Sequence, residues 1–227
     1  MTMINHKFLT KLRKKNNLTQ AEMAKTIDVS RPTYIAFEKG KGSLTIDQLT
    51  KIAQKFGCDL CDILTENIVD EEKYKDILLQ AVRFGADSDG KITKTKLAKL
   101  IYLADFGWYY QNLESLSGAQ YRRLPQGPVP NFYFSAIDEL FDNGLLDIKI
   151  KDSGFLISLT DAGKQTETKN LKTEEADFVK KVSQKWNGKR TNEIVAFTHE
   201  QLPYKICSDG EIIPYELITQ QDPNYVY

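Results

Sequence analysis

No apolar run in this 227-residue chain approaches the roughly 20 residues that a membrane-spanning helix needs. Its first residues, MTMINHKFLTKLRKK, lack the hydrophobic centre of a secretory signal, so a soluble, cytoplasmic protein is expected. Cysteine is scarce. Three residues, an odd number, fit a reducing compartment better than a disulfide framework. Histidine is scarcer, with only His6 and His199. Cys58-Asp-Leu-Cys61 has the spacing of half a zinc site, but the only thiol or imidazole ligands left to complete it, Cys207, His6 and His199, are scattered along the chain. Cys58 and Cys61 are therefore read as packing residues, and neither metal nor cofactor is expected. Catalytic patterns are missing as well: His199-Glu200 is the one histidine-carboxylate neighbour of the C-terminal part. No Ser/His/Asp arrangement or phosphate-cradling glycine loop accompanies it, so no enzyme is expected.

Net charge is also absent, with 31 basic and 31 acidic residues, yet the balance is uneven along the chain. Residues 1–67 hold 11 Lys and Arg against 7 Asp and Glu, which leaves 20 against 24 for the remainder. A segment of charge +4 precedes one of −4. The first suits a polyanion and the second a different partner. At this length two domains are expected: 1–67, a polar joint at 68–73 around IVDEEK, and 74–227.

The basic segment reads as short helices with explicit start and stop signals. Phe8, Leu9 and Leu12 share one helical face, while Lys11, Lys14 and Lys15 form a basic cluster elsewhere on that helix. Thr19-Gln-Ala-Glu22 is a capping box that opens a helix with Ala21, Met23, Ala24 and Ile27 inward. Ser30 caps a third helix reaching about Lys39, in which Pro32 is tolerated because it lies in the first turn. Thr45-Ile-Asp-Gln48 is a second capping box, stapled by Leu44 and Leu49, and a fifth short helix is expected near 59–64.

Two short helices around a three-residue turn form a helix-turn-helix, and LTQAEMAKTIDVSRPTYIAFEKG resembles the Cro/repressor (XRE) family over about 8–64. The resemblance implies operator DNA as partner. It assigns Gln20 to a phosphate clamp, Arg31, Pro32, Thr33 and Ala36 to the groove-facing side of the recognition helix that Ser30 caps, and Lys39 and Lys41 to a phosphate-contacting loop. Arg13 and Glu38 match an ion pair tying the first helix to the third. Pro32 departs from the amide-bearing side chain often found there. Independently of the family, an arginine can bind guanine O6 and N7 with two hydrogen bonds and an alanine can touch a thymine methyl.

The acidic segment reads as further helices interrupted by one stiff stretch. Helices are expected over 75–84, from Thr93 or Thr95 through Trp108, over 131–143 with Phe134, Ile137, Leu140 and Phe141 inward, over 173–186 and over 191–201. Residues 146–150 and 155–159 alternate as a hairpin. The fold class is thus mainly α: a five-helix helix-turn-helix domain followed by a mostly helical α+β domain with a small, winged-helix-like hairpin. Between the helices, YRRLPQGPVPNFY packs three prolines and a glycine into six residues, and it reads either as a rigid connector that sets helix geometry or as a contact surface.

KTKLAKLIYLADFGWYY, SGAQYRRLPQGPVPNFY and TNEIVAFTHEQLPY, in that order, resemble the Panacea (SocA-like) antitoxin domain over about 74–218. Tyr121, Gly127, Pro128, Val129 and Pro130 carry its signature. The resemblance implies an antitoxin that neutralises a protein toxin encoded beside it, with Tyr121, Arg122, Arg123, Pro125, Gly127, Pro128 and Val129 as the toxin-contact expectation. A homodimer is expected because one helix-turn-helix reads a half-site. Two other roles stay open: a phage-type regulator whose second domain dimerises or senses a ligand, and an adaptor that delivers a client to a protease.

Overall fold

Three helices of the first unit begin where a hydroxyl, of Thr19, Ser30 or Thr45, replaces a missing backbone partner. In the computed structural model, which describes residues 6–56, 60, 63, 70–130, 132–151 and 154–227, the chain divides into two units, Met1–Ile68 and Val69–Tyr227. The first holds α1 (His6–Lys15), α2 (Gln20–Thr26), α3 (Arg31–Glu38) and α4 (Ile46–Phe56). Thr19 Oγ1 accepts from Glu22 N at 3.2 Å while Thr19 N donates to Glu22 Oε2 at 2.7 Å, so the box closes both ways. Thr45 and Gln48 repeat it at 2.9 and 3.3 Å. Leu9, Met23, Ala24, Ile27, Phe37, Leu49 and Ile52 are buried together, which fixes α2 and α3 against α1 and α4. Ala21, expected inward, is exposed. It lies about 200° around the helix from Met23 and one turn before Lys25, which is exposed as well. Of the fifth helix only Leu60 and Ile63 are described, both helical, while Cys58, Cys61 and the start of the joint at 68–73 lie outside the described residues.

The second unit is built around one helix. It comprises α5 (Glu71–Gly85), β1 (Lys91–Thr93), α6 (Lys94–Asn112), β2 (Tyr121–Arg122), β3 (Val129–Pro130), α7 (Tyr133–Asp142), β4 (Leu146–Lys151), β5 (Gly154–Leu159), α8 (Asp161–Gln165), α9 (Thr173–Lys185), α10 (Thr191–Glu200) and α11 (Leu202–Ile206), then two 3₁₀ turns. Thr93 caps α6 by accepting from Lys96 N at 3.1 Å. From Lys96 to Trp108 every residue of α6 is buried, against α5, α9, α10 and the 3₁₀ turn Tyr215–Gln220. A helix covered on all sides shows no polar stripe, which is why its sequence carries apolar residues well beyond the spacing of one face.

The sheet has order β1-β5-β4, all antiparallel, with Ile92 and Ile148 both opposite Ile157. Strand β1 was not expected: its three residues fall between a turn loop and a helix cap, too short for an alternation signal. The proline-rich stretch is not a plain connector but a small hairpin, in which Tyr121 faces Pro130 and Arg122 faces Val129. Residues 210–213 lie along its other edge, through Arg123 N to Glu211 O at 2.9 Å and Ile213 N to Tyr121 O at 2.8 Å. Helix α7 begins at Tyr133 rather than Asn131, which lies outside the described residues. It turns Tyr133, Ala136, Ile137 and Leu140 inward. Phe134 and Phe141, expected inward, are 50% and 46% exposed because the buried stripe runs one position away from each.

Asp105, fully buried on α6, gathers the loop that precedes the hairpin. It accepts from Leu116 N at 2.8 Å, Ser117 N at 3.2 Å, Tyr121 Oη at 3.1 Å and the Ser117 hydroxyl. Burial pushes its carboxyl above the ordinary value, although bonds from Ser117, Tyr215 and Leu116 oppose the rise. Asp105→Ala would leave those donors unpaired in the core, a loss of roughly 3–5 kcal/mol. Denaturant unfolding of the full chain should register it in the transition of the second unit, while Asp89→Ala in the exposed turn before β1 should change little.

Candidate nucleic-acid interface and the core beneath the proline-rich hairpin

The recognition helix α3 is presented by its cap and by one carboxylate. Ser30 Oγ accepts from Thr33 N at 3.2 Å and lies 2.7 Å from Thr33 Oγ1, leaving Arg31, Pro32 and Thr33 exposed on the first turn. Ala36 is half-buried one turn on, and Lys39 and Lys41 are exposed at and beyond the end of the helix. The positive end of the α3 dipole, the Arg31 guanidinium and these two lysines place donors for phosphate and base edges along one short element.

Glu38 fixes this element to the rest of the unit. Its carboxylate accepts from Arg13 Nε at 2.7 Å, from Arg13 Nη2 at 3.3 Å and from Gln20 Nε2 at 2.8 Å, so one side chain of α3 holds α1 and α2 together. Arg13 Nη1 also donates to Leu18 O at 2.8 Å, closing the turn before α2. Both charged side chains are largely buried. Gln20, the expected phosphate clamp, thus has one amide hydrogen engaged. An NH₂ group carries two, and the half-buried Gln20 can offer the other outward.

In the second unit the structure separates the expected contact residues by burial. Tyr121 is fully buried and bonded to Asp105, and Gly127, Pro128 and Val129 are buried with it. These four are walls of the core, so as presented they offer no side-chain surface to a toxin. Arg122 and Arg123 are half-buried and Pro125 is exposed. Arg123 is engaged inside the unit: it pairs with Asp209, donates from Nε to Tyr204 O at 3.1 Å and lies over the Tyr204 ring at 4.6 Å.

What the motif covers is a buried lysine. Lys99 of α6, with no exposed surface, donates to Pro128 O at 3.1 Å. Gly127 has φ +96°, and a Cβ there would lie 2.6 Å from Lys99 Cε, 2.8 Å from its Nζ and 3.2 Å from His199 Nε2. Glycine is therefore required twice, by the backbone and by the space. His199 stacks on Tyr204 with ring centroids 4.3 Å apart and 3° between planes, and Tyr204 Oη donates to Leu124 O at 2.8 Å. Burial, then the positive Lys99 and Arg123, hold its imidazole below the ordinary value. Glu200 pairs with Lys205 at 2.5 Å, and its negative charge partly opposes that lowering. Sequence reasoning did not find Lys99; its one signal is a lysine on the otherwise apolar face of KTKLAKLIYLA.

Among the described residues no group of His, Cys, Asp and Glu could hold a metal ion, and no helix is long and apolar enough to cross a membrane. A helix-turn-helix family model matches residues 9–63, and a model described as antitoxin SocA-like, Panacea domain, matches residues 97–204. An uncharacterized HTH-type transcriptional regulator of Methanocaldococcus jannaschii is 48% identical over 48 residues, 21% of this chain and 73% of that protein. Another, of Archaeoglobus fulgidus, is 38% identical over 65 residues, 29% of this chain and 87% of its own. No solved structure matches. Fold, exposed recognition helix and relatives together define a DNA-binding regulator. The chain belongs to the XRE-type helix-turn-helix family in its first unit, and it carries an antitoxin SocA-like Panacea domain in its second. Both are families of non-enzymatic kinds.

The Glu38 junction makes a pH-dependent prediction. Burial raises the Glu38 carboxyl, but the bonds from Arg13 and Gln20 outweigh it and hold the group below its usual 4.5. A folded value below the unfolded one contributes stability above pH 4.5 that is lost as the pH falls through the folded value. Glu38→Ala should cost roughly 3 kcal/mol at neutral pH, because it leaves Arg13 without its partner. Glu38→Gln should flatten the acid limb of the first unit's thermal stability.

Proposed function

We propose that the protein is a cytoplasmic antitoxin that represses its own operon. The observation that carries this reading is the joining, in one chain, of a DNA reader and a domain of the antitoxin SocA-like family. The first unit, over 1–67, binds the operator as a homodimer, with two recognition helices entering successive major grooves about 34 Å apart. Arg31 and Thr33 meet base edges, Ala36 a methyl group, and Gln20, Ser30, Lys39 and Lys41 the phosphates, while Pro32 shapes the first turn of the helix. The second unit, over 74–227, sequesters a protein toxin encoded alongside. Because Tyr121, Gly127, Pro128 and Val129 are buried, the toxin contact falls to the exposed Pro125 and Gln126, the half-buried Arg122 beside them and neighbouring surface.

Expression of the adjacent reading frame alone should arrest growth, and co-expression of this protein should restore it. A harmless neighbour would favour a plain regulator, and rescue that disappears when a protease is deleted would favour an adaptor. Arg31→Ala should weaken operator binding by roughly 1–3 kcal/mol and relax sequence preference, leaving neutralisation intact. Gel-shift titrations across salt concentrations separate that loss from the phosphate contribution, which the lysine variants should reduce.

A further inference from the structure

Between the start of α6, the hairpin β2–β3, α7 and β5 lies a cavity of about 450 Å³. That volume is within the range of small-molecule sites. Ala98, Val129 and Tyr133 form apolar wall, and Phe134 and Phe155 stand at the rim, each about half exposed. Lys94 Nζ lies 4.8 Å from the Phe134 ring and 5.5 Å from the Phe155 ring. Exposed aromatics flanking a free cation are unusual on a surface that has no occupant.

The charges of this wall are all of one sign. Lys94 and Lys99 both line the cavity, and among the described residues neither has a carboxylate partner. The neutral Pro128 carbonyl is the one hydrogen-bond acceptor Lys99 has there. Thr93 and Thr191, whose hydroxyls lie 2.8 Å apart, sit at the starts of α6 and α10, so two helix dipoles direct their positive ends at the same wall. By contrast the other buried lysine of α6, Lys96, has Asp87 at 2.9 Å. A buried ammonium without a counter-ion is costly unless an anion is supplied or the proton is given up.

We propose that this cavity binds a small carboxylic acid with an aromatic or branched apolar body, its carboxylate meeting Lys94 and taking the place of the Pro128 carbonyl on Lys99, and its body seated between Phe134, Phe155 and Tyr133. The ligand supplies the anion that the fold withholds from Lys99. The apolar walls give it a place to leave water. Burial alone pushes the Lys99 ammonium down to about 7. The charged and titratable groups near it are His199 on α10, across Gly127, and Lys94 on its own helix, while Arg123 and Glu200 act on His199 from beyond it. A bound carboxylate therefore raises the affinity of Lys99 for a proton, so binding takes up a proton above pH 7 and weakens as the pH rises.

Calorimetric titration of the full chain with 4-phenylbutyrate, its amide and the free-acid and amidated forms of N-acetyl-Ala-Ala-Phe tests this. Phenylbutyrate should bind and its amide should bind at least tenfold more weakly. Preference for the free-acid peptide over phenylbutyrate would mark the carboxylate as the end of a polypeptide, overturning the small-acid assignment. In the unaltered protein the dissociation constant should rise about tenfold per pH unit above pH 7 and stay flat below it. Lys99→Met should reduce affinity at least tenfold with the fold intact by circular dichroism. Should that variant not fold, the half-exposed Lys94→Gln should still reduce affinity about threefold. Equal binding of acid and amide, or a pH-independent affinity, overturns the proposal.

Discussion

The second unit depends on one constraint: α6 is buried on every side, so each charged side chain on it needs a partner inside the protein. Three charged groups stand on it between Lys96 and Asp105, and each of them is partnered, whereas the buried Tyr102 hydroxyl on the same span has no hydrogen-bond partner among the described residues. Lys96 draws in the turn before β1 through Asp87, Lys99 draws in the proline-rich hairpin through Pro128 O, and Asp105 draws in the 116–121 loop through two backbone N–H groups and two hydroxyls. Each partner lies on a different non-helical segment. The helix therefore specifies where the irregular chain goes, which apolar packing alone does not do, since hydrophobic contact is non-directional.

A similar logic, at smaller scale, organises the first unit. Among the described residues Glu38 is the one carboxylate shared by α1, α2 and α3, and its bonds to Arg13 and Gln20 set the angle at which α3 is carried. A recognition helix reads base edges only if its first turn is held at a fixed height and tilt. The apolar core could tolerate small rotations of α3; a bidentate arginine on a largely buried carboxylate tolerates fewer. Stability and the presentation of α3 thus meet in one largely buried side chain.

Local chemistry made much of this legible from sequence. Capping boxes at Thr19 and Thr45, the Ser30 cap and the Leu44–Leu49 staple act within four or five residues, and such signals survive without tertiary context. Helix α7 went partly wrong for the opposite reason. Phe134 and Phe141 are as apolar as Ile137, and only the neighbouring elements decide which side of the helix is covered. Strand β1 escaped because its pairing partner, β5, is more than 60 residues away. The Lys99 site escaped for the same cause: its members come from α6, the hairpin and α10, and no spacing in the chain brings Lys99, Gly127 and His199 together.

The burial of the GPVP stretch changes what that signature means. A motif whose glycine is dictated by Lys99 and His199, and whose tyrosine is bonded to a buried Asp105, is accounted for by the interior. It marks the fold and carries little information about the partner. The surface chemistry is elsewhere, in side chains that the core does not need: Phe134, Phe141, Ile150 and Phe155 are all substantially exposed, and all four lie on α7 and the β4–β5 hairpin. Apolar groups clustered on two adjacent elements are more informative about binding than the same groups scattered singly. Exchanging residues on the outer face of α7 and the hairpin would leave Asp105, Lys99 and the glycine that Lys99 and His199 constrain in place, so that face can vary while the interior stays the same.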